Sequence, residues 1–397
     1  MIRFDLENKS LPLLGFGCMR LPRLPNGKAG DIDEAETRKM IALAMENGCN
    51  YFDTAYPYHD GESERVVGKI LSEYPRESYF LADKFPGHQI QENYDPSGVF
   101  ENQLKKCGVE YFDFYLLHNV YENSIHTYFD PKWNIVEYFI KQKKLGKIRH
   151  LGFSTHGSLD VMTKFLDRYG KEMEFCQIQL NYLDWSLQNA AAKVELLNER
   201  NIPIWVMEPL RGGKLVHLKD EEKKLLTEKD ADASPIETAF RFLQGIEGVG
   251  VILSGMSNLS QLRENLAYFK ERKPLSPEEK ETLFAVAEKI KNAVPCTSCR
   301  YCVKDCPMGL DIPLHISVYN ELMVVKSFNT SMRIECLPEE KKPSACIACG
   351  LCAKNCPQLI DIPDVMKKLS GILKEIPSWK KISREREEIA KKMRKEK

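Results

Sequence analysis

The stretch Asn50-Tyr-Phe-Asp-Thr-Ala-Tyr-Pro-Tyr58 decides the fold. Its first five residues form a short apolar run, the signature of a buried strand. A loop follows, and residues 62–72 then place apolar side chains at helical period. Working outward, the same strand-then-helix unit recurs. Strands are expected at residues 13–17, 50–54, 79–84, 112–118, 148–154, 175–181, 203–208 and 250–254. Helices are expected at 33–47, 62–72, 98–107, 131–144, 158–169, 186–200, 235–244 and 259–269. Eight such units in residues 1–270 predict an α/β fold, a (β/α)8 TIM barrel. A doubly wound open sheet is the runner-up, and the lack of Gly-x-Gly-x-x-Gly after the first strand counts against it. Residues 1–10 are expected to form a hairpin closing the barrel's bottom.

The C-terminal quarter has a different pattern, a doubled one. Cys296-x-x-Cys299-x-x-Cys302-x-x-x-Cys306-Pro307 recurs, offset by fifty residues, as Cys346-x-x-Cys349-x-x-Cys352-x-x-x-Cys356-Pro357. This spacing fits two [4Fe–4S] clusters, the fourth thiolate of each being lent by the other motif. One cluster is therefore expected on Cys296, Cys299, Cys302 and Cys356, the other on Cys346, Cys349, Cys352 and Cys306. Zinc would leave a surplus cysteine in each motif. Asp311-Ile-Pro313 and Asp361-Ile-Pro363 read as helix starts, with Asp as cap and Pro in the first turn. The expected module, residues 296–370, is thus an α-helical ferredoxin-like domain. A linker helix (271–295) precedes it and a charged tail (371–397) follows.

The chain has 57 basic and 57 acidic residues, so no general affinity for nucleic acid is expected. No apolar run reaches the length of a membrane span, and thirteen cysteines without a leader suggest a reducing, cytoplasmic location. Eight of those cysteines belong to the repeats.

In a barrel of this kind chemistry sits where the strands end. Asp53 ends the second expected strand and Tyr58 lies in the loop after it; Lys84 ends the third and His118 the fourth. Each alone reads as a structural residue. Together, on one face, they are a site candidate.

These residues carry a resemblance. Asn50–Tyr58 with Gly61-Glu-Ser-Glu-Arg-Val-Val-Gly68, Asp83-Lys84, Phe114-Tyr-Leu-Leu-His118, Leu151-Gly-Phe-Ser-Thr155, Glu208-Pro-Leu-Arg-Gly-Gly213 and Ser254-Gly-Met-Ser-Asn258 with Glu264-Asn265 resemble the aldo/keto reductase superfamily. With the cysteine repeats, the chain looks like its ferredoxin-fused subgroup. The resemblance implies a catalytic tetrad of Asp53, Tyr58, Lys84 and His118, with Tyr58 as the acid. A free tyrosine holds its proton at a pKa of ~10. The Lys84 ammonium is expected to lower that value, Asp53 to hold Lys84, and His118 to orient a carbonyl oxygen.

The resemblance also implies NADPH or NADH. Ser154, Thr155 and Gln177 would clamp the nicotinamide amide, with Thr155 standing where the family commonly has Asn. Met207 takes the place of the usual stacking aromatic. Pro209, Leu210, Arg211 and Gly213 follow the seventh strand, and Gly255, Ser257, Gln261, Glu264 and Asn265 the eighth; all are expected near the rest of the dinucleotide. Gly255 and Gln261 stand where NADPH-preferring members carry cations, which leans the expectation toward NADH or dual use.

Three readings of function stay open. The first is an NAD(P)H-linked oxidoreductase interconverting a small carbonyl and an alcohol, its clusters structural or sensing. The second is a cluster-dependent oxidoreductase exchanging electrons with an external protein carrier. The third is a non-catalytic, nucleotide-sensing barrel. Substrate identity, direction and oligomeric state are not legible.

Overall fold

The computed structural model describes residues 1–7, 9–89, 95–228, 232–291, 294–296, 299–356, 358–379, 381, 382, 384, 385 and 388; Pro357 and the end of the charged tail, 389–397, lie outside them. The chain divides into two compact units. The first comprises Met1–Tyr182, Ala190–His217 and Asp232–Lys280, the second Leu183–Asn189, Leu218–Ala231 and Glu281–Lys397.

In the first unit, β1 (Arg3–Leu6) and β2 (Lys9–Pro12) pair antiparallel. The other strands are β3 (Leu14–Gly17), β4 (Tyr51–Asp53), β5 (Phe80–Phe85), β6 (Phe112–Leu117), β7 (Ile148–Thr155), β8 (Cys176–Gln179), β9 (Ile204–Met207) and β10 (Val249–Gly255). They close in chain order into a barrel, β10 pairing with β3, with every neighbour parallel. The open sheet is therefore excluded. The strands are almost wholly buried, which is why they read as continuous apolar runs rather than alternating ones.

The expected hairpin closes the end where the strands begin. Phe4, Leu6 and Leu11 pack on Tyr51, Phe114, Phe175 and Trp205. The Trp205 indole donates to the Tyr51 hydroxyl at 2.8 Å, so these large rings are buried without stranding a polar group. The opposite end is left for chemistry.

Two expected helices differ in the structure, for one reason. Residues 186–200 are not one helix but two, Asp184–Leu187 and Ala190–Glu199, broken where Asn189 takes φ 53°. The helix expected from 131 begins only at Ile135, after Asn134 at φ 47°. Asparagine tolerates the left-handed region and stops a helix there.

The second unit contains Asp220–Thr227, Ile312–Val324, Phe328–Glu335 and Ile362–Glu375 as its longer helices beyond the linker helix Pro277–Lys291, which runs across the division. Asp311 and Asp361 cap their helices by accepting from the Leu314 and Asp364 amides, as expected. The duplication extends to the backbone: Arg300 and Gly350 have φ 64° and 78°, Gly309 and Leu359 have φ 58° and 53°. Asn355 donates to Asp305, its equivalent in the other repeat, at 2.5 Å. Glu321, fully buried, accepts from Arg333 at 2.6 Å and Gln188 at 3.0 Å, which ties the segment Leu183–Asn189 into this unit. Among the described residues no helix is long and apolar enough to cross a membrane.

Candidate active site and cluster sites

Consecutive strands β4, β5 and β6 bring the expected four residues to the end of the barrel opposite the hairpin. The Lys84 ammonium donates to Asp53 Oδ1 at 2.6 Å and to the Thr54 carbonyl at 2.7 Å. Neither Lys84 nor Asp53 is appreciably exposed. Lys84 Nζ lies 4.9 Å from the centre of the Tyr58 ring, and the Tyr58 and His118 rings meet edge to face at 6.3 Å.

Lys84 is fixed from behind as well. Its amide donates to Asp83 Oδ1 at 2.8 Å and its carbonyl accepts from Gln103 at 3.1 Å. Gln103 in turn donates to Glu64 at 2.9 Å and accepts from the Tyr115 hydroxyl at 2.6 Å. Asp83 and Glu64 are both fully buried. Burial, and then the neighbouring Glu64 carboxylate, push the Asp83 pKa far above the usual carboxylate range.

The electrostatics of the four differ from expectation in one respect. Burial works against the Lys84 ammonium, but Asp53 and then Tyr58 outweigh it and hold its pKa above the ordinary lysine value. Tyr58, however, is raised and not lowered: burial disfavours tyrosinate more than Lys84 favours it. The ammonium therefore restrains an upward shift rather than producing a downward one. Asp53 is also raised, by burial, with Lys84 opposing.

Two further residues adjoin this face. His88, in the loop after β5, packs edge to face on His118 at 4.7 Å and bonds the His118 carbonyl through Nδ1 at 3.2 Å. Asn119 donates its amide to Ser154 Oγ at 2.8 Å, and its side chain accepts from the His156 amide at 3.2 Å. The sequence offered no signal for His88; Asn119 is marked only by following His118.

The register of β7 on β8 sets Ser154 directly opposite Gln177. Ser154 Oγ accepts from Asn119 and keeps its own proton to give. Gln177 Oε1 is a buried acceptor with no hydrogen-bond partner among the described residues. A primary amide would satisfy both, so this pair fits a nicotinamide carboxamide. The Thr155 hydroxyl is already engaged on both sides, donating to the Val120 carbonyl at 2.6 Å and accepting from the Gly157 amide at 2.9 Å.

The remaining expected residues lie on two loops. Met207 ends β9, half-buried, and Pro209 and Leu210 lead into a tight turn. That turn carries Arg211, Gly212 and Gly213 at φ 45°, 64° and 96°, with Arg211 buried. Gly255 ends β10 and is exposed. Gln261 accepts from the Ser257 amide at 2.8 Å and so pins the last loop. Asn265 is buried and donates to Ser254 at 2.9 Å, while Glu264 accepts from the Tyr268 hydroxyl at 3.0 Å.

In the second unit the cysteines gather in two groups. One cavity is lined by Cys346, Cys349 and Cys352 with Cys306; another by Cys296, Cys299 and Cys302 with Cys356. Each cavity is thus lined by three cysteines of one repeat and one of the other. The first cavity is otherwise walled by Pro307, Met308, Ile312, Ile347 and other apolar residues, and the Leu310 amide approaches Cys306 Sγ at 3.5 Å. Four thiols around an apolar hollow fit an iron–sulfur cubane. Burial pushes the Cys302 thiol up to about 11, and raises Cys352 as well, so loading these groups releases protons.

Against this geometry, residues 13–288 match the model of the aldo/keto reductase family. The chain belongs to the aldo/keto reductase family. Within this oxidoreductase family it carries an added part, since residues 295–360 match a 4Fe–4S dicluster domain. An NADH-specific methylglyoxal reductase of Escherichia coli is 29% identical over 47% of the chain, which spans 60% of that relative's length. An L-galactose dehydrogenase of Arabidopsis thaliana is 25% identical over 70% of the chain and 91% of its own length. Among solved structures, the holo form of the aldo-keto reductase AKR11C1 from Bacillus halodurans aligns with a TM-score of 0.59 and 25% identity, over 72% of this chain and 96% of its own. An aldo-keto reductase from Klebsiella pneumoniae, solved with NADPH, shares the fold at a TM-score of 0.56 and 20% identity, over 72% of this chain and 96% of its own.

Proposed function

We propose that the barrel interconverts a small carbonyl compound and its alcohol with NADH or NADPH, and that the second unit holds two [4Fe–4S] clusters. The observation that carries the first part is the buried Lys84–Asp53 pair beneath the Tyr58 ring, 2.6 Å and 4.9 Å from Lys84 Nζ. The nicotinamide, when bound, supplies or accepts the hydride. Tyr58 gives the carbonyl oxygen its proton in reduction and takes it back in oxidation. Lys84 stabilises the tyrosinate left behind, and Asp53 keeps Lys84 charged in a site that water does not reach. His118 orients the oxygen toward Tyr58. Ser154 donates to the carboxamide oxygen and Gln177 accepts from its nitrogen. The similarity to an NADH-specific methylglyoxal reductase supports a small carbonyl and use of NADH. The assembled tetrad speaks against a purely nucleotide-sensing barrel.

The clusters take Cys296, Cys299, Cys302 and Cys356, and Cys346, Cys349, Cys352 and Cys306. In each set one ligand, Cys299 or Cys349, is exposed. That exposure favours exchange of electrons with an external protein over a purely structural role. Two measurements test these readings. Tyr58→Phe should bind NADH normally yet lose roughly 10²–10⁴-fold in turnover of an aldehyde panel; retained turnover removes Tyr58 as the acid. Anaerobic absorbance of the loaded protein should bleach on adding reduced carrier, and clusters inert to every carrier would leave them structural.

A further inference from the structure

The two cysteine cages repeat one design, so the positions where they differ show what each cage adds. We infer that Arg300 and Gln358 raise the reduction potential of the cluster on Cys296, Cys299, Cys302 and Cys356 above that of its twin, so that it is the first to hold an electron. This rests on the two-cluster reading above and concerns residues that are not ligands.

The offset of fifty residues pairs the walls of the two cavities. Pro313, Ile316 and Ile360 line the first; their counterparts Pro363, Met366 and Leu310 line the second. These exchanges keep both walls apolar. Among the described residues, two positions break the match. Gln358 lines the first cavity where Met308 lines the second. Arg300 also lines the first, and its counterpart is Gly350.

Arg300 is not the residue its backbone favours. It sits at φ 64° and Gly350 at 78°, a conformation that glycine adopts freely and arginine at a cost. A Cβ on Gly350 would meet nothing within 4 Å, so the second repeat has room for a side chain there and lacks one. Asp311 bonds Arg300 at 3.3 Å, and Asp361 is the twin of Asp311. Both carboxylates cap helices, so they cancel between the cages and the guanidinium remains as the difference.

A cluster that has taken an electron is more negative by one charge. A cation in the wall stabilises that charge, and so does an amide N–H that can donate to sulfur. A thioether and a glycine offer neither. Arg300 and Asp311 are both well exposed, so water screens the effect to a modest one. The cations on the other side are answered locally. The Lys341 ammonium reaches the loop after Cys306, but it is held by the Met308 and Gly309 carbonyls at 2.9 Å and 3.3 Å. Lys342, Lys367 and Lys374 border an open groove beside Cys346 together with Asp361 and Asp364, where opposite charges and water offset them. The electron arrives singly from an external carrier protein, and no bond forms or breaks.

The cluster-loaded chain is poised anaerobically against dithionite through redox mediators and followed by electron paramagnetic resonance. Iron content and thermal unfolding are recorded for each variant. The parent should show two resolved one-electron steps. Arg300→Gly, which suits the backbone, should lower the upper midpoint by up to about 59 mV, tenfold in a one-electron equilibrium, and leave the lower one in place. Arg300→Lys keeps the charge and should keep most of the separation. Gln358→Met should also lower the upper midpoint, and Gly350→Arg should raise the lower one. Coincident steps in the parent overturn the inference. So does an upper midpoint unmoved by Arg300→Gly, or a shift in the lower midpoint instead. A parent that loads fewer than two clusters removes the cluster reading itself, and this inference with it.

Discussion

Replacing Asp53 by asparagine would leave the Lys84 ammonium sealed in the barrel without a counter-charge. The lysine side chain is 0% exposed and that of Asp53 4%, with 2.6 Å between Nζ and Oδ1. At an effective dielectric of about 20, the attraction at that distance is roughly 6 kcal/mol. Part of it offsets the desolvation of Asp53 itself, which asparagine no longer bears. The expected loss of stability is therefore about 3–5 kcal/mol at neutral pH, the range found when one partner of a buried pair is removed. The loss should depend on pH. Asp53 is the leading influence that holds the Lys84 pKa up against burial; without it burial dominates and the pKa falls below that of the unfolded chain. The unfolded state then binds the extra proton, so the variant should gain stability as pH rises from about 7 toward 10, relative to the parent. Adding Lys84→Met should restore most of the loss, because no charge then remains buried. Urea unfolding followed by tryptophan fluorescence reports directly, since Trp205 lies in the barrel core. A variant within about 1 kcal/mol of the parent from pH 6 to 9 would mean that Lys84 is not sealed from water, and the argument for its role would fall with it.

Cys356→Ala should remove the fourth ligand of one cluster, so iron per reconstituted chain should fall from about eight toward about four; unchanged iron content would show that Cys356 holds no cluster. Gln177→Leu should stabilise the nucleotide-free protein by about 1 kcal/mol by removing a buried unpaired acceptor, while weakening NADH binding several-fold; equal NADH affinity would rule out the amide contact. Leu359→Gly should raise the unfolding temperature of the cluster module, worth about 0.5–1 kcal/mol, because Leu359 is 90% exposed at φ 53° and thus strained with little packing to lose. A fall in that temperature would mean that the exposed leucine packs against something.

The barrel was legible because its strands are buried on both faces, so each appears as an uninterrupted apolar run. The tetrad was legible because its residues fall at or just beyond the ends of such runs. What could not be read was anything set by burial rather than by spacing. The rise in the Tyr58 pKa needs the full enclosure of the ring, which no neighbour in sequence reveals. Asp83 appears in sequence as the residue before Lys84, but its shared burial with Glu64 depends on two elements brought together by the fold. The two displaced helix boundaries are different: Asn134 and Asn189 were visible as residues that stop helices, and the apolar periodicity around them masked that signal.

The bond between Asp305 and Asn355, and the cysteine that each repeat contributes to the other's cavity, bear on how the module comes into being. Neither cage closes until both repeats have been synthesised and have met. A chain that stops between them holds one three-cornered set, Cys296, Cys299 and Cys302, while Cys306 waits for a repeat not yet made. Such a module can be gained or lost as a whole, but not trimmed by half.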